Sequence, residues 1–298
     1  VRVAALDQGT NTTRLLVADV DGERVDELHR ESRITRLGEG VDTRGRLLPV
    51  PIARVRNALT DYRRTAERLG AERTLLVATS AVRDAENGEA FLGEIEWSYG
   101  FATRLLSGDE EAQFMRRGVG ASSTGTLLLD IGGGSTELVL DDFHVSLPMG
   151  SVRFTERHGE NVAALEEAAL ALLPELKPEA AVGVAGTVTT LAALDLGLDA
   201  YDGERVHGHV LTRAGARAQL ERLAALPLEE RRHVPALEPE RAPVIVAGAA
   251  ILLAILDRYG LEGIRVSGKD LLDGAAIAAA ELPEPEEGAA PPGAYTCC

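Results

Sequence analysis

The chain has 298 residues, 45% of them hydrophobic and 26% charged, with a formal net charge of −16. That length accommodates two domains with sizeable cores, and the acidity excludes nonspecific nucleic-acid binding. No apolar run approaches the ~20 residues of a membrane span, and two cysteines, both at the very end (Cys297 and Cys298), exclude a disulfide framework and a cysteine-based metal site.

The charge is uneven: residues 1–120 hold 18 arginines against 20 acidic residues, so this is the part that tolerates an anionic ligand. The chain opens with an apolar run rather than a targeting region, and a reducing cytoplasm is the expected compartment. Val3–Leu6 predicts a strand ending in Asp7. Gln8-Gly9-Thr10-Asn11 reads as a turn, and Leu15–Ala18 as a second strand. Ile52, Val55, Leu59, Tyr62, Ala66 and Leu69 fall on one face of a helix over 51–70. A buried strand at Leu75–Thr79 leads to a helix near Ser80. Another helix, over 109–117, has Ser107 as N-cap and acids in its first turn.

At Thr126 the opening pattern restarts. Thr126–Ile131 is a strand with Asp130 near its end, followed by Gly132-Gly133-Gly134-Ser135-Thr136 and a second strand, Glu137–Leu140. Later come a strand at Ala181–Ala185, the loop Gly186-Thr187, a helix from Val188, a last strand at Ile264–Ser267 and a helix over 270–280. The Pro-, Glu-, Gly- and Ala-rich segment from Leu282 predicts a disordered tail. Alternating strands and helices with a duplicated hairpin predict two α/β domains, 1–122 and 123–281, with the tail at 282–298.

Three glycine turns carry the candidate chemistry. Asp7-Gln8-Gly9-Thr10-Asn11 with Arg14 offers backbone N–H groups and side-chain donors to an anion, and an acid that can hold a metal ion or position water. The run Gly132-Gly133-Gly134-Ser135, between Asp130 and Glu137, permits close approach of a phosphate chain. Gly186-Thr187, between a strand and a helix, places free N–H groups at a helix start. Arg83, just past a buried strand, is suited to clamping phosphate. Glu110 and Glu111, taken alone, read as complements to the helix dipole. There is no GxxxxGK[ST], GxSxG or HExxH motif.

Together these blocks resemble the exopolyphosphatase/guanosine pentaphosphatase (Ppx/GppA) family, within the actin, Hsp70 and sugar-kinase superfamily. The residues that carry the resemblance are Asp7-x-Gly9-Thr10-Asn11-x-x-Arg14, Ser107-Gly108-x-Glu110-Glu111-Ala112, Asp130-x-Gly132-Gly133-Gly134-Ser135-Thr136-Glu137, Pro148-x-Gly150-Ser151-Val152-Arg153 and Gly186-Thr187. The resemblance implies two actin-like (ribonuclease H-like) domains with the active site in the cleft between them, and a homodimer. It implies Glu111 as the base for the attacking water, with Asp130 and Glu137 also catalytic. Mg²⁺ would sit near Asp7, Asp130 and Glu137. Gly9, Thr10, Asn11, Arg14, Arg83, Gly132, Gly133, Gly134, Ser135, Gly186 and Thr187 would hold phosphate. The implied substrate is inorganic polyphosphate, guanosine pentaphosphate or both, with no nucleic-acid or membrane partner. Two departures stand out: Gln8 replaces a small or apolar residue, and the chain is a short form without the extra C-terminal HD-type domain of longer members. A guanosine-nucleotide sensor without catalysis, and an ATP-dependent kinase or ATPase of the same superfamily, are the alternative readings.

Overall fold

The computed structural model describes residues 1–120 and 123–283. The chain forms two compact units: Val1–Gly120 together with the segment from Leu271 on, and Ala121–Asp270. In the first unit, β1 (Arg2–Gln8), β2 (Thr12–Asp21) and β3 (Arg24–Ile34) precede α1 (Val41–Arg44) and α2 (Pro49–Leu69). Then follow β4 (Arg73–Ala78), α3 (Ser80–Arg83), α4 (Gly88–Tyr99), β5 (Ala102–Leu105) and α5 (Gly108–Val119). The second unit begins with β6 (Thr126–Ile131), β7 (Thr136–Leu140), β8 (Phe143–Leu147), α6 (Ser151–His158) and α7 (Val162–Leu172). It continues with β9 (Ala180–Val184), α8 (Ala185–Asp195), α9 (Gly203–Val206), β10 (Val210–Thr212) and α10 (Arg213–Ala225). It ends with α11 (Leu228–Arg231), α12 (Ile245–Tyr259) and β11 (Gly263–Val266); α13 (Leu271–Ala280) belongs to the first unit.

The two sheets repeat one plan. In the first the strand order is β3-β2-β1-β4-β5, with β1 antiparallel to β2 and parallel to β4. The second runs β8-β7-β6-β9-β11 in the same sense and adds β10 at its edge. The restart at Thr126 is therefore a repeat of topology as well as of motif.

Alternation along β1 and β4 sorts the first sheet's side chains onto two buried faces. Ala4, Leu6, Leu76 and Ala78 pack with Val55, Leu59 and Tyr62 of α2 and Phe91 and Ile95 of α4. Val3, Ala5, Leu75 and Val77 pack with Phe114 of α5 and with Leu272, Ala276 and Ala279 of α13. Nine of the ten α13 residues are buried, and Asp273 among them pairs with Arg30 of β3. This corrects the expected second domain of 123–281: α13 is apolar nearly all round, and it buries that surface on the first sheet. Leu282, expected at the start of a disordered tail, is partly buried against the same core. The rest of that expected tail, from 284, lies outside the described residues.

The second unit has its own polar staple. The Arg231 side chain is 1% exposed and donates to both carboxylate oxygens of Glu160, at 2.5 and 3.0 Å. It also donates to the carbonyls of Leu223, Leu226 and Ala242. Truncation strands those three carbonyls, while the 42% exposed Glu160 side chain turns to water. Arg231→Ala is expected to lower unfolding stability by about 2–4 kcal/mol. A urea titration showing a change under about 1 kcal/mol would contradict the staple.

Candidate functional site

The two hairpin turns share a geometry. In the first, Asp7 faces Arg14 and Gln8 faces Thr13 across the strands, leaving Gly9 to Thr12 as the turn, with Gly9 N donating to Thr12 O at 3.0 Å. In the second, Asp130 faces Glu137 and Ile131 faces Thr136, with Gly132 N donating to Ser135 O at 3.0 Å. A Cβ on Gly9 would lie 3.3 Å from Thr12 O, and one on Gly132 would lie 3.2 Å from Ser135 O. None of the turn glycines has a left-handed φ, so at Gly9 and Gly132 it is the tight approach of the backbone that favours glycine. Among the described residues the N–H groups of Thr10 and Asn11, and those of Gly133 and Gly134, find no backbone acceptor. Each turn thus presents adjacent donors at its tip, the makings of an anion nest.

What surrounds the turns differs. Asp7 receives Arg14 Nε at 2.9 Å and Nη2 at 2.6 Å. Gln8 is fully buried, accepting from Thr13 Oγ1 at 2.8 Å and donating to Gly9 O. It is a brace beneath the first turn. Thr10 Oγ1 is engaged with Ser80 Oγ at 2.9 Å. Asn11 is 5% exposed, yet neither its Oδ1 nor its Nδ2 has a hydrogen-bond partner among the described residues. A buried amide without partners costs ~1–3 kcal/mol, so this one has donor and acceptor capacity open to a water or a ligand.

In the second turn the partner of the acid is another acid. Glu137 Oε1 accepts from Ser135 Oγ at 2.7 Å and Ser146 Oγ at 2.8 Å. The glycine carbonyls plug the start of α6: Ser151 N donates to Gly132 O, while Val152 N and Arg153 N donate to Gly133 O. Arg153 Nε adds a 2.7 Å bond to Gly134 O. A Cβ on Gly150 would lie 2.5 Å from Gly133 C and O, so no larger residue fits there. Thr187 Oγ1 donates to Ile131 O at 2.9 Å, tying the third glycine loop to the second. The hydroxyls of Thr10, Ser135 and Thr187 each hold a protein atom.

Mg²⁺ binds through one or two carboxylates and keeps waters or substrate phosphates in its other positions. Asp130 and Glu137, directly opposed on neighbouring strands, fit that donor set. Asp7 differs in carrying the Arg14 guanidinium on Oδ2, which offsets part of the charge it would offer a cation. Among the described residues no three His, Cys, Asp or Glu side chains form a group that holds a metal by themselves.

The start of α5 separates its two glutamates. Ser107 Oγ accepts from Glu110 N while Glu110 Oε2 accepts from Ser107 N at 2.9 Å, a capping box. Glu110 also pairs with Arg104 at 2.5 Å. The Ser107 backbone bond, and after it the Arg104 bond, hold the Glu110 carboxyl below its ordinary 4.5. A lowered folded pKa contributes stability that is present above 4.5 and lost as pH falls through the lower folded value. Glu110→Gln is therefore expected to cost about 1 kcal/mol at neutral pH. The gap should close well below pH 4.5 with turnover unchanged, as urea titrations at both pH values will show.

Glu111 points elsewhere. Its side chain is 4% exposed and pairs with Arg83 Nη1, which also donates to Leu106 O at 2.7 Å. Arg83, expected on phosphate, thus holds the expected base. At the start of α8, Ala185 adopts φ 62° and no side chain caps the helix, leaving N–H groups open at that end. A Cβ on Gly186 would lie 2.4 Å from Arg241 Nη1, so Gly186 makes room for this guanidinium. Arg241 was not foreseen: it lies more than 50 residues from Gly186 and carries no local motif.

Comparison with known proteins covers nearly the whole chain. The chain is 38% identical to a protein named Exopolyphosphatase 2 of Mycobacterium tuberculosis, over 94% of this chain and 98% of that one. A solved exopolyphosphatase-like protein superposes with a TM-score of 0.84 at 32% identity, covering 93% and 98% of the two chains. The Aquifex aeolicus PPX-GPPA enzyme superposes with a TM-score of 0.77 at 31% identity, covering 93% and 99%. The model of the Ppx/GppA phosphatase family matches residues 16–280. The chain belongs to the Ppx/GppA phosphatase family.

Proposed function

We propose that this protein hydrolyses the terminal phosphoanhydride bond of inorganic polyphosphate, releasing orthophosphate one unit at a time. We propose guanosine pentaphosphate as a second substrate, because it presents the same terminal bond. The observation that carries the reading is the match to a named exopolyphosphatase along nearly the whole of both chains. The buried, partnerless Asn11 amide and the paired nests of tip N–H groups support it, since both suit phosphate oxygens.

Glu111 orients water towards the terminal phosphorus and accepts its proton as the new P–O bond forms. The bond from the terminal phosphorus to the bridging oxygen breaks, the shortened chain leaves with that oxygen and the electron pair, and the terminal phosphorus departs as orthophosphate. In the first unit Glu111, Asn11 and the tip N–H groups are the candidate reacting and phosphate-holding groups, and in the second the glycine turn with Asp130 and Glu137. A magnesium ion held by Asp130 and Glu137 would offset negative charge gathering on the phosphate oxygens. The reaction is largely one of positioning and electrostatics.

The test is orthophosphate release with Mg²⁺ and no acceptor, from short polyphosphate, long polyphosphate and guanosine pentaphosphate side by side. Release from polyphosphate supports the proposal. Binding of a guanosine nucleotide with no release from any substrate makes the protein a sensor and overturns it.

A further inference from the structure

Two glycines lie against the backs of the elements that carry the Arg83–Glu111 pair. Gly274 of α13 sits on α5: a Cβ there would lie 2.0 Å from Phe114 O, 2.7 Å from its carbonyl carbon and 2.9 Å from its Cα. Phe114 is one helical turn beyond Glu111. Gly88, the first residue of α4, sits on α3 in the same way: its Cβ would lie 2.0 Å from Val82 O and 3.0 Å from the carbonyl carbon. Val82 immediately precedes Arg83. Neither glycine has a left-handed φ, so only this close approach requires glycine. In both cases the obstructing atoms are backbone, and no side-chain rotation relieves the contact. The pair is therefore seated from both sides, α5 resting on α13 and α3 resting on the start of α4.

We propose that Gly88 and Gly274 are positioning residues, which set the separation and aim of the Arg83–Glu111 pair through α3 and α5. This rests on Glu111 as the base. A methyl group at 274 forces α5 away by about 1 Å, and misplacement on that scale costs up to ~10²-fold in turnover. The loop at 84–87 can absorb part of the push from 88, so Gly88→Ala is the milder variant.

The experiment compares Gly274→Ala and Gly88→Ala with Gly263→Ala. The last places a methyl 2.8 Å from Leu211 O, within the second unit. Steady-state kinetics on short polyphosphate are run well below each variant's unfolding midpoint, and crystal structures are determined for the variants. The expected result is a kcat about 10- to 100-fold lower in Gly274→Ala and about 5-fold lower in Gly88→Ala, with KM within about 2-fold. Gly263→Ala should lose stability and keep kcat. The crystal structures should show Glu111 displaced from Arg83. A kcat in both α3/α5 variants no lower than in Gly263→Ala, or an intact pair in their structures, overturns the proposal. If Gly274→Ala does not fold, Gly88→Ala decides. Glu111→Gln is run alongside: if it keeps its turnover while the glycine variants open the pair, the role of Glu111 as base falls and the positioning stands.

Discussion

Glu111→Gln is expected to keep the fold and bind substrate with KM nearly unchanged, while kcat falls by at least about 10²-fold, the low end for loss of a general base. The expectation rests on a division of labour visible in the first turn of α5. Glu110 is consumed by the capping box and Arg104. Glu111, one residue on and about 100° around the helix, is buried on Arg83. Glutamine preserves the shape and a hydrogen-bonding oxygen, so α5 stays seated on α13, but the side chain no longer accepts a proton. The companion Glu110→Gln should show the opposite signature: a small stability loss with turnover intact. If kinetics and urea titrations exchange these two signatures, the assignment of the base is reversed.

The second large effect is expected in the repeated turns. Asp130→Asn and Glu137→Gln should each lower kcat by about 10²-fold or more, the scale seen when a group that stabilises transition-state charge is removed. Both should raise the magnesium concentration needed for half-maximal activity. Asp7→Asn, the corresponding change in the first hairpin, should leave the magnesium requirement nearly unchanged, because Asp7 is already neutralised by Arg14 at 2.6 Å. The two copies differ by one residue, arginine opposite the acid in the first and glutamate in the second, and the proposed metal role belongs to the second. Magnesium titrations of the three variants check this, and a metal requirement that moves with Asp7 instead would reverse the roles of the two turns.

Much of this was readable in the sequence where the signal is local. β6 occupies Thr126–Ile131, as its apolar run between turn residues predicts, and the duplicated Asp–Gly hairpin appears in both strand order and register. The Ser107 cap and the glutamates after it were equally plain. The elements that escaped are those whose reason lies elsewhere in the chain. β3 is an edge strand with most positions exposed or half-exposed, and its charged sequence shows no buried alternation. β8 is likewise only half-buried along most of its length. The helix over 270–280 was foreseen, but its place in the first unit depends on Gly274 meeting Phe114, a contact across 160 residues. The turns illustrate a subtler limit. Their glycines and hydroxyls are singled out in the sequence as a set for an anion, and the hydroxyls of Thr10, Ser135 and Thr187 also hold the turns in shape. Only the three-dimensional arrangement shows that the buried Asn11 amide has no hydrogen-bond partner among the described residues.

The central claim is that water cleaves the terminal phosphoanhydride bond, and the most direct test is to run the reaction in ¹⁸O-labelled water with Mg²⁺ and short polyphosphate. Analysis of the products by mass should find a single ¹⁸O in each released orthophosphate and none in the shortened chain. Orthophosphate without label, or label in the residual chain, would contradict the account.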